Sequence, residues 1–551
     1  MSTPQLTVMV LAGGDLASKQ LGPAPPQWNH PLLLPAGSGL AIDAIAGFYQ
    51  RGPLPVELRV LVDAPPPVEI PLRGLSANQL QLVPPQPHIL GTLEAGLAAI
   101  HTPWVLINPI TTLPSRPAEL RCQIQVGDQP LIRENWSALR PDGVDGWSFE
   151  GKNKPTLIDR RAPEAAPPFT GVLIAPTQQL QALIAALPAA GHDLVWLAEA
   201  LYRQADAAVV ATAWHDLGHR TTHAASRRSR LPSRAFNQLQ HCRRRDVIVK
   251  RSSDQTRLTA ERAYLASLPP QLRRHFPALL PGESGEETAL VMEAVPFPSL
   301  AELHLHWDLG PNTWLAILER LAGIQADFAA AAPTHTGSSR WLYGAKLEAR
   351  WQQFTATLEG SATEAPWWQR ELCINGRWFA PLEQQVAELL TALTPLEAHS
   401  QLQLIHGDLC FNNILCDPLY TAIRLIDPRG ESAPGTAWPP GYGDSRYDLV
   451  KLFHSIGGHY DAIVNNLFRL QWHNATQLQL QVCIPAHQPF LHNAFQERLR
   501  PARLSQHQLN LLTASLFFSM LPLHSEDPER QLALAASGML LLERTTPECC
   551  C

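Results

Sequence analysis

The chain contains no run of about 18 consecutive apolar residues, the length a bilayer-spanning helix needs, so no membrane span is expected. Its N-terminus lacks the charged region and long apolar core of a secretory signal, which makes the cytoplasm the expected location. The nine Cys follow no spacing pattern, and this favours reduced thiols over a disulfide framework. Cys549, Cys550 and Cys551 form an odd tail, read as a disordered terminus in preference to a metal or lipid site. A net charge of -6 gives no reason to expect a nucleic acid or an acidic membrane as partner. What is present is an ordinary globular composition, 45% hydrophobic, in 551 residues, too many for one core; two domains or more are expected.

The densest polar pattern lies between Leu404 and Gly430. Two short apolar strands, around Ile414-Leu415 and Ile423 to Ile426, are joined by a turn at Asp417-Pro418. His406, Asp408 and Asn413 precede the first strand and Asp427 closes the second, so folding the hairpin gathers an Asp, an Asn and another Asp at one edge. Such a set suits metal-assisted phosphoryl transfer: one carboxylate receives a hydroxyl proton, and an amide oxygen with a second carboxylate holds Mg²⁺ on nucleotide phosphates. The plain alternative, a His-Gly-Asp turn between ordinary strands, needs four polar residues to fall at these spacings by coincidence.

His406-Gly407-Asp408, Asn413 five residues after the Asp, and Asp427 opening Asp-Pro-Arg-Gly resemble the catalytic core of the aminoglycoside phosphotransferase and choline kinase family, which has a protein-kinase-like fold. The resemblance implies Asp408 as catalytic base, His406 as the catalytic-loop residue that braces it, and Asn413 and Asp427 as metal ligands. It also implies ATP and Mg²⁺ as cofactors, with a nucleotide and a small-molecule acceptor as partners.

Upstream, Asp246-Val-Ile-Val-Lys250 is a β-branched run ending in Lys, suited to a central strand that delivers one cation to the α- and β-phosphates. Glu261 is read as opening a helix through Leu268, where the resemblance has it holding Lys250; taken alone, it is a helix N-terminal Glu favoured by the macrodipole. Phe236 to Cys242 contains no Gly, so no Gly-rich loop covers the phosphates. Leu290 to Pro298 reads as a strand and a proline-stiffened crossover whose backbone at Glu293 to Val295 would dock adenine. Residues 299 to 330 and 380 to 400 read as helical, and the chain through about 545 as mostly so. His304 and His306, two apart, fall on different helix faces, and a metal site there is not expected. Downstream, Leu449, Leu452, Phe453 and Ile456 follow helical spacing behind Asp448, which the resemblance makes a structural support for the catalytic loop.

The first 210 or so residues alternate strands and helices: Leu6 to Leu11, Val56 to Val62 and Trp104 to Ile107 as strands, Leu93 to Ile100 as a helix. Leu11-Ala-Gly-Gly14, Leu33-Leu-Pro35, Gly91-Thr92 and Phe169-Thr-Gly171 make this part similar to nucleotidyltransferases of the sugar-nucleotide pyrophosphorylase type. The chain departs from that family where the chemistry resides. Gly14-Asp15-Leu16-Ala17-Ser18 lacks the family's Arg and Lys, Asn29-His30-Pro31 brings no Lys, Lys19 is opposed by Asp15, and Asn108 stands where a metal-binding Asp is expected. Catalysis there is expected to be lost.

Asp216-x-Gly218-His219, Arg234-x-Phe236-Asn237 and Lys250 resemble a group of fused proteins from surface-polysaccharide gene sets, a nucleotidyltransferase-like part preceding a phosphotransferase part. The arginines 227, 228, 230 and 234 read as a solvated linker rather than a nucleic-acid patch. The expected organisation is a Rossmann-like α/β domain at 1-212, a linker at 213-232, and an α+β bilobal kinase-like domain with lobes at 233-298 and 299-545. The stretch Trp351 through Phe379, which includes Trp367, Trp368, Trp378 and Phe379 and only Glu359, Glu364 and Glu371 scattered among its aromatics, suits packing or the stacking of a sugar ring better than a cage for choline. The expected function is ATP-dependent phosphorylation of a sugar or amino alcohol in surface-polysaccharide precursor synthesis. A pseudoenzyme scaffold, or a bifunctional kinase and nucleotidyltransferase, is the alternative.

Overall fold

A computed structural model describes residues 4–13, 30–34, 36, 40–50, 55–65, 75–86, 88–114, 131–135, 147–150, 156–159, 169–186, 194–204, 208–212, 214–218, 237–242, 244–286, 288–307, 309–356, 366–417, 419–431, 439–501 and 504–543. The expectations at Gly14 to Lys19, Asn29, Pro35, His219, Arg227 to Phe236, Glu359, Glu364 and Cys549 to Cys551 lie outside these residues. The chain divides into two compact units, Met1–Pro232 and Ser233–Cys551.

The first unit is built on a seven-stranded sheet. Its strands are β1 (Leu6–Leu11), β2 (Val56–Val62), β3 (Leu80–Leu82), β4 (Trp104–Pro109), β5 (Leu131–Asn135), β6 (Phe169–Pro176) and β7 (Ala208–Thr212), in the spatial order β7-β5-β6-β4-β1-β2-β3. Strand β1 is buried at every position and pairs in parallel with β2 on one side and β4 on the other. Burial on both faces explains why its sequence, Leu-Thr-Val-Met-Val-Leu, does not alternate. Helices α1 (Ala41–Gln50), α2 (Ile89–Leu97), α3 (Thr177–Ala186) and α4 (Leu194–Gln204) accompany the sheet, and two short antiparallel pairs join Thr112–Pro114 to Trp214–Asp216 and Trp147–Glu150 to Thr156–Asp159. Helix α2 is shifted from the expected Leu93 to Ile100: Gly91-Thr92, weak helix formers that read as a loop, lie inside its first turns because Leu90 and Leu93 are buried there.

At the end of β4, Asn108 is fully buried. Its Oδ1 accepts from the Tyr49 hydroxyl of α1 at 2.8 Å, and its Nδ2 donates to the carbonyls of Pro109 and Thr112 at 2.7 and 2.9 Å. Every polar atom of the amide is thus used in tying a strand end to a helix and a turn.

The second unit begins with an antiparallel sheet of β8 (Asn237–Cys242), β9 (Val247–Ser252) and β10 (Leu290–Glu293), with β9 in the middle. Helix α5 runs Gln255–Ser267, started by Asp254, whose carboxylate accepts from the Arg257 N–H at 3.0 Å. Glu261 is therefore not at a helix head, as expected, but well inside the helix and buried, so the macrodipole does not account for it. The helical stretch expected at 299–330 is two helices, α6 (Leu300–His306) and α7 (Pro311–Ala331), because Pro311 begins a new helix at its first position. Then follow α8 (Gly344–Ala356), α9 (Leu382–Glu397), α10 (Tyr447–Ile456), α11 (Gln488–Arg498), α12 (Gln506–Met520) and α13 (Pro528–Glu543). Within the part read as mostly helical, Phe468–Trp472 and Gln477–Val482 form an antiparallel pair that joins Leu372–Ile374 and Arg377–Phe379 in a four-stranded sheet. The period-two pattern Gln477-Leu-Gln-Leu-Gln-Val482 carried that signal.

One large apolar cluster fills this unit, with Trp314, Phe354, Phe411, Phe453 and Phe495 among its members. His304 is buried in it, its Nδ1 3.0 Å from His487 Nε2 and its ring edge-on to Trp314 and Phe411. Trp367 and Trp368 pack around Phe354, and Phe379 is buried. Trp378, 60% exposed, is the member of that aromatic group that faces solvent. No helix among the described residues is long and apolar enough to cross a membrane.

Candidate active site

The hairpin expected from the sequence pairs β11 (Ile414–Cys416) with β12 (Ile423–Leu425), Ile414 opposite Leu425. The Asp417 carboxylate closes its turn by accepting from the Thr421 and Ala422 N–H groups at 2.5 and 2.7 Å and from the Thr421 hydroxyl at 2.9 Å. His406 and Asp408 precede the hairpin, Asn413 meets its first strand and Asp427 follows its second.

The turn that carries Asp408 is fastened from below. The His406 N–H donates to Asp448 Oδ2 at 2.7 Å and the Gly407 N–H to Oδ1 at 2.9 Å, so one carboxylate at the start of α10 fixes two successive peptides. Gly407 has φ +79, and a Cβ there would stand 2.7 Å from the Arg429 Cβ; both facts demand glycine. The His406 ring is fully buried and stacks on Phe276. Its Nδ1 accepts from the Asp408 N–H at 3.2 Å, leaving Nε2 to donate to the Ile426 carbonyl at 3.1 Å. Burial pushes its pKa down to about 4, so the ring is neutral at pH 7 and ties the turn to the end of the hairpin. Buried and committed at both nitrogens, it is a brace rather than a proton carrier.

Asp408 is nearly buried and is held by two cations. Arg429 Nη2 lies 2.9 Å from Oδ2 and Lys451 Nζ 2.9 Å from Oδ1. Lys451 is buried and Arg429 mostly so: desolvation works against their charge, yet the Asp408 carboxylate outweighs it and keeps each pKa above its ordinary value. Asn413 Nδ2 donates to the Asp408 carbonyl at 2.9 Å, which leaves its Oδ1 for another partner. Neither Arg429 nor Lys451 was anticipated. Lys451 was detectable as the one charge within the apolar run Leu449 to Ile456, three residues after Asp448 and so on the same helix face. Arg429, on a turn, follows no period.

Opposite, Lys250 Nζ contacts Glu261 Oε2 at 2.6 Å and is also paired with Asp427. Burial works against the Lys250 charge, but the two carboxylates prevail and hold its pKa above the usual lysine value. Burial also opposes ionisation of Asp427, and there the Lys250 and Arg429 cations prevail, keeping it below the carboxylate range. Glu261 is pushed up to about 7, mainly by burial with the Asp427 charge adding to it. Asp427 adopts φ +59, a left-handed conformation Asp tolerates, and its side chain is about half exposed. Just beyond it a Cβ on Gly430 would overlap the Ala260 carbonyl of α5, so turn and helix meet backbone to backbone. Tyr264, one turn further along α5, donates its hydroxyl to the Ile405 carbonyl at 3.0 Å.

In the stretch expected to dock adenine, the Glu293 N–H donates to the Ala278 carbonyl at 2.9 Å and the Ala294 N–H to the Asp246 carbonyl at 3.1 Å. The Glu293 carboxylate accepts from the Ala278 N–H at 3.1 Å. Glu293 is thus occupied in holding β10 to the preceding loop, and Val295 follows it at the crossover. Among the described residues no group of three or more His, Cys, Asp or Glu converges as a metal site.

Residues 229–475 match the model of the phosphotransferase enzyme family, and the second unit accordingly contains a phosphotransferase domain. No curated protein matches the chain. Among solved structures, UTP-bound UGPase from Acinetobacter baumannii aligns with 41% of this chain and 92% of its own at 9% identity and a TM-score of 0.32. HddC from Yersinia pseudotuberculosis aligns with 40% of this chain and 97% of its own at 11% identity and a TM-score of 0.29. At scores of this size the seven-stranded sheet itself, not the likeness, describes the first unit.

Asp448→Asn offers one oxygen where two N–H groups need acceptors, and is expected to lower stability by roughly 1–3 kcal/mol. Burial raises the Asp448 carboxyl to about 7 in the folded chain, against about 3.9 when unfolded. A group shifted upward contributes stability that is complete below about pH 4 and disappears as the pH rises to about 7. The gap in melting temperature between wild type and variant should therefore be widest in acid and narrow toward neutrality. A gap constant from pH 4.5 to 7.5 would mean that Asp448 is ionised throughout.

Proposed function

With a phosphotransferase domain in the second unit as premise, we propose that this protein transfers the γ-phosphoryl group of ATP to a hydroxyl of a small molecule. The observation that carries this reading is the buried Asp408 carboxyl group, paired with Arg429 and Lys451 while Asn413 donates to its backbone carbonyl. In this reading Asp408 orients the acceptor hydroxyl and takes its proton as the new bond to phosphorus forms. Lys250, fixed by Glu261, meets the α- and β-phosphates, and the Val295 N–H meets the base. His406 and Asp448 keep the catalytic turn in place.

The donor set fits a divalent cation. Asn413 Oδ1 is left for a ligand because Nδ2 is committed, and Asp427 is a half-exposed carboxylate held charged by its cationic neighbours. With only two protein ligands, Mg²⁺ would take the rest of its shell from phosphate and water, the usual arrangement for this ion in nucleotide sites. Bound there, it would neutralise charge across the β- and γ-phosphates.

The acceptor is read as a sugar or sugar-like alcohol used for surface polysaccharide, with a cytoplasmic site of action to match the use of ATP. The argument from an aromatic platform no longer supports that choice, since Trp367, Trp368 and Phe379 serve the core. The first unit is read as a nucleotidyltransferase-like domain without catalysis. Asn108, used at all its polar atoms and fully buried, supports that loss, because it is committed to structure where a metal-binding carboxylate would be needed.

Asp408→Asn should lower turnover at least roughly 10²-fold in protein that still folds, with a melting temperature lowered because Arg429 and Lys451 lose their charge partner, and a folded variant with full turnover would defeat the assignment. Asp427→Ala should weaken Mg·ATP binding measured by calorimetry, and unaltered affinity would move the metal site elsewhere. Full-length Asp408→Asn protein mixed with nucleoside triphosphates and sugar 1-phosphates should release no pyrophosphate. Steady release would restore activity to the first unit.

A further inference from the structure

The cations around Asp408 continue away from it on one side. Lys346, on α8, donates from Nζ to the Tyr447 hydroxyl at 2.8 Å and stands 5.4 Å from the centre of that ring. Tyr447 and Lys451 are four apart on α10 and share a face, so Lys346, Tyr447, Lys451 and Asp408 form a continuous line. Charge along this line is unbalanced. Arg429 and Lys451 are matched by Asp408, and Arg429 also has Glu431 at 4.0 Å, whereas Lys346 has no carboxylate within ion-pair distance among the described residues. Burial pulls its pKa below the usual lysine value, and the nearby Lys451 and Arg429 charges push the same way. A partly buried ammonium that repels its neighbours and has, among the described residues, only a phenol as hydrogen-bond partner is stabilised by whatever brings a negative charge to it.

We propose that the acceptor of the phosphotransferase carries an anionic group, a phosphate or a carboxylate, and that Lys346 binds this group beside Asp408. The proposal rests on the kinase reading of the same site. It selects phosphorylated or acidic sugars over neutral ones and disfavours amino alcohols, whose ammonium would meet Lys346 as a like charge. Tyr447 positions Lys346, and Lys451 lies between the anion and the reacting hydroxyl, so one end of the acceptor is anchored while the other is presented to Asp408.

The test compares full-length wild type, Lys346→Met and Lys346→Arg on glucose 6-phosphate, glucuronate, glucose and choline with Mg·ATP. The first two acceptors separate phosphate from carboxylate. An anionic acceptor should exceed glucose in kcat/KM by at least about tenfold, and Lys346→Met should raise its KM about ten- to a hundredfold, the effect of losing a charge-assisted hydrogen bond. Lys346→Arg should recover most of that loss. If Lys346→Met instead raises the KM for ATP, or if glucose or choline is preferred, the proposal fails while the kinase reading stands. If none of the four is phosphorylated, thermal shifts decide. Stabilisation of the wild type by glucose 6-phosphate or glucuronate beyond that by glucose, absent in Lys346→Met, supports an anion site without the kinase, and no such difference overturns it.

Discussion

The carboxylate of Asp448 takes the N–H groups of His406 and Gly407, at 2.7 and 2.9 Å, and the geometry of the site follows from that pair of bonds. They hold the turn before the β11–β12 hairpin on α10 and direct Asp408 toward Lys451 on the same helix, while Arg429 leaves Gly407 no room for a side chain. The His406 ring then ties the turn to the end of the hairpin, so the position of Asp427 is fixed relative to Asp408 by one imidazole. Two buried side chains, neither of which meets a substrate in the proposed mechanism, set the separation of the base from the metal carboxylate.

Around this frame the charges form two groups. Lys250, Glu261 and Asp427 form one and Asp408, Arg429 and Lys451 the other, with Arg429 near enough to Asp427 to influence it. Buried ion pairs add little net stability, because desolvation consumes most of the Coulomb gain. Their effect here is on orientation and on charge state, which suits a reaction whose catalysis consists largely of positioning and charge compensation.

The parts legible in the sequence were those that local pattern determines. The run Leu6 to Leu11 named β1 as a buried strand, a β-branched run placed Lys250 in a central one, and the His-Gly-Asp spacing located the turn that carries Asp408. Glu261 was read as a partner for Lys250 but given a wrong place in its helix, because the cap that starts α5 is Asp254, an ordinary loop residue in sequence. Arg429 and Lys346 were not legible at all: the first sits on an aperiodic turn, and the second acquires meaning only when α8 meets α10. The tryptophans misled for a different reason. Aromatic residues enrich cores and binding sites alike, and only burial separates the two.

Gly430 brings the turn after Asp427 into backbone contact with α5 at Ala260, one residue before Glu261. A contact between two main chains has no side chain to repack, and it is therefore stiff. The helix cannot swing inward past this stop, and swinging outward would separate Glu261 from Lys250 and draw the Tyr264 hydroxyl off the Ile405 carbonyl. A domain built this way has one resting posture for the helix that holds Lys250, and glycine at a single position is the stop that keeps it there.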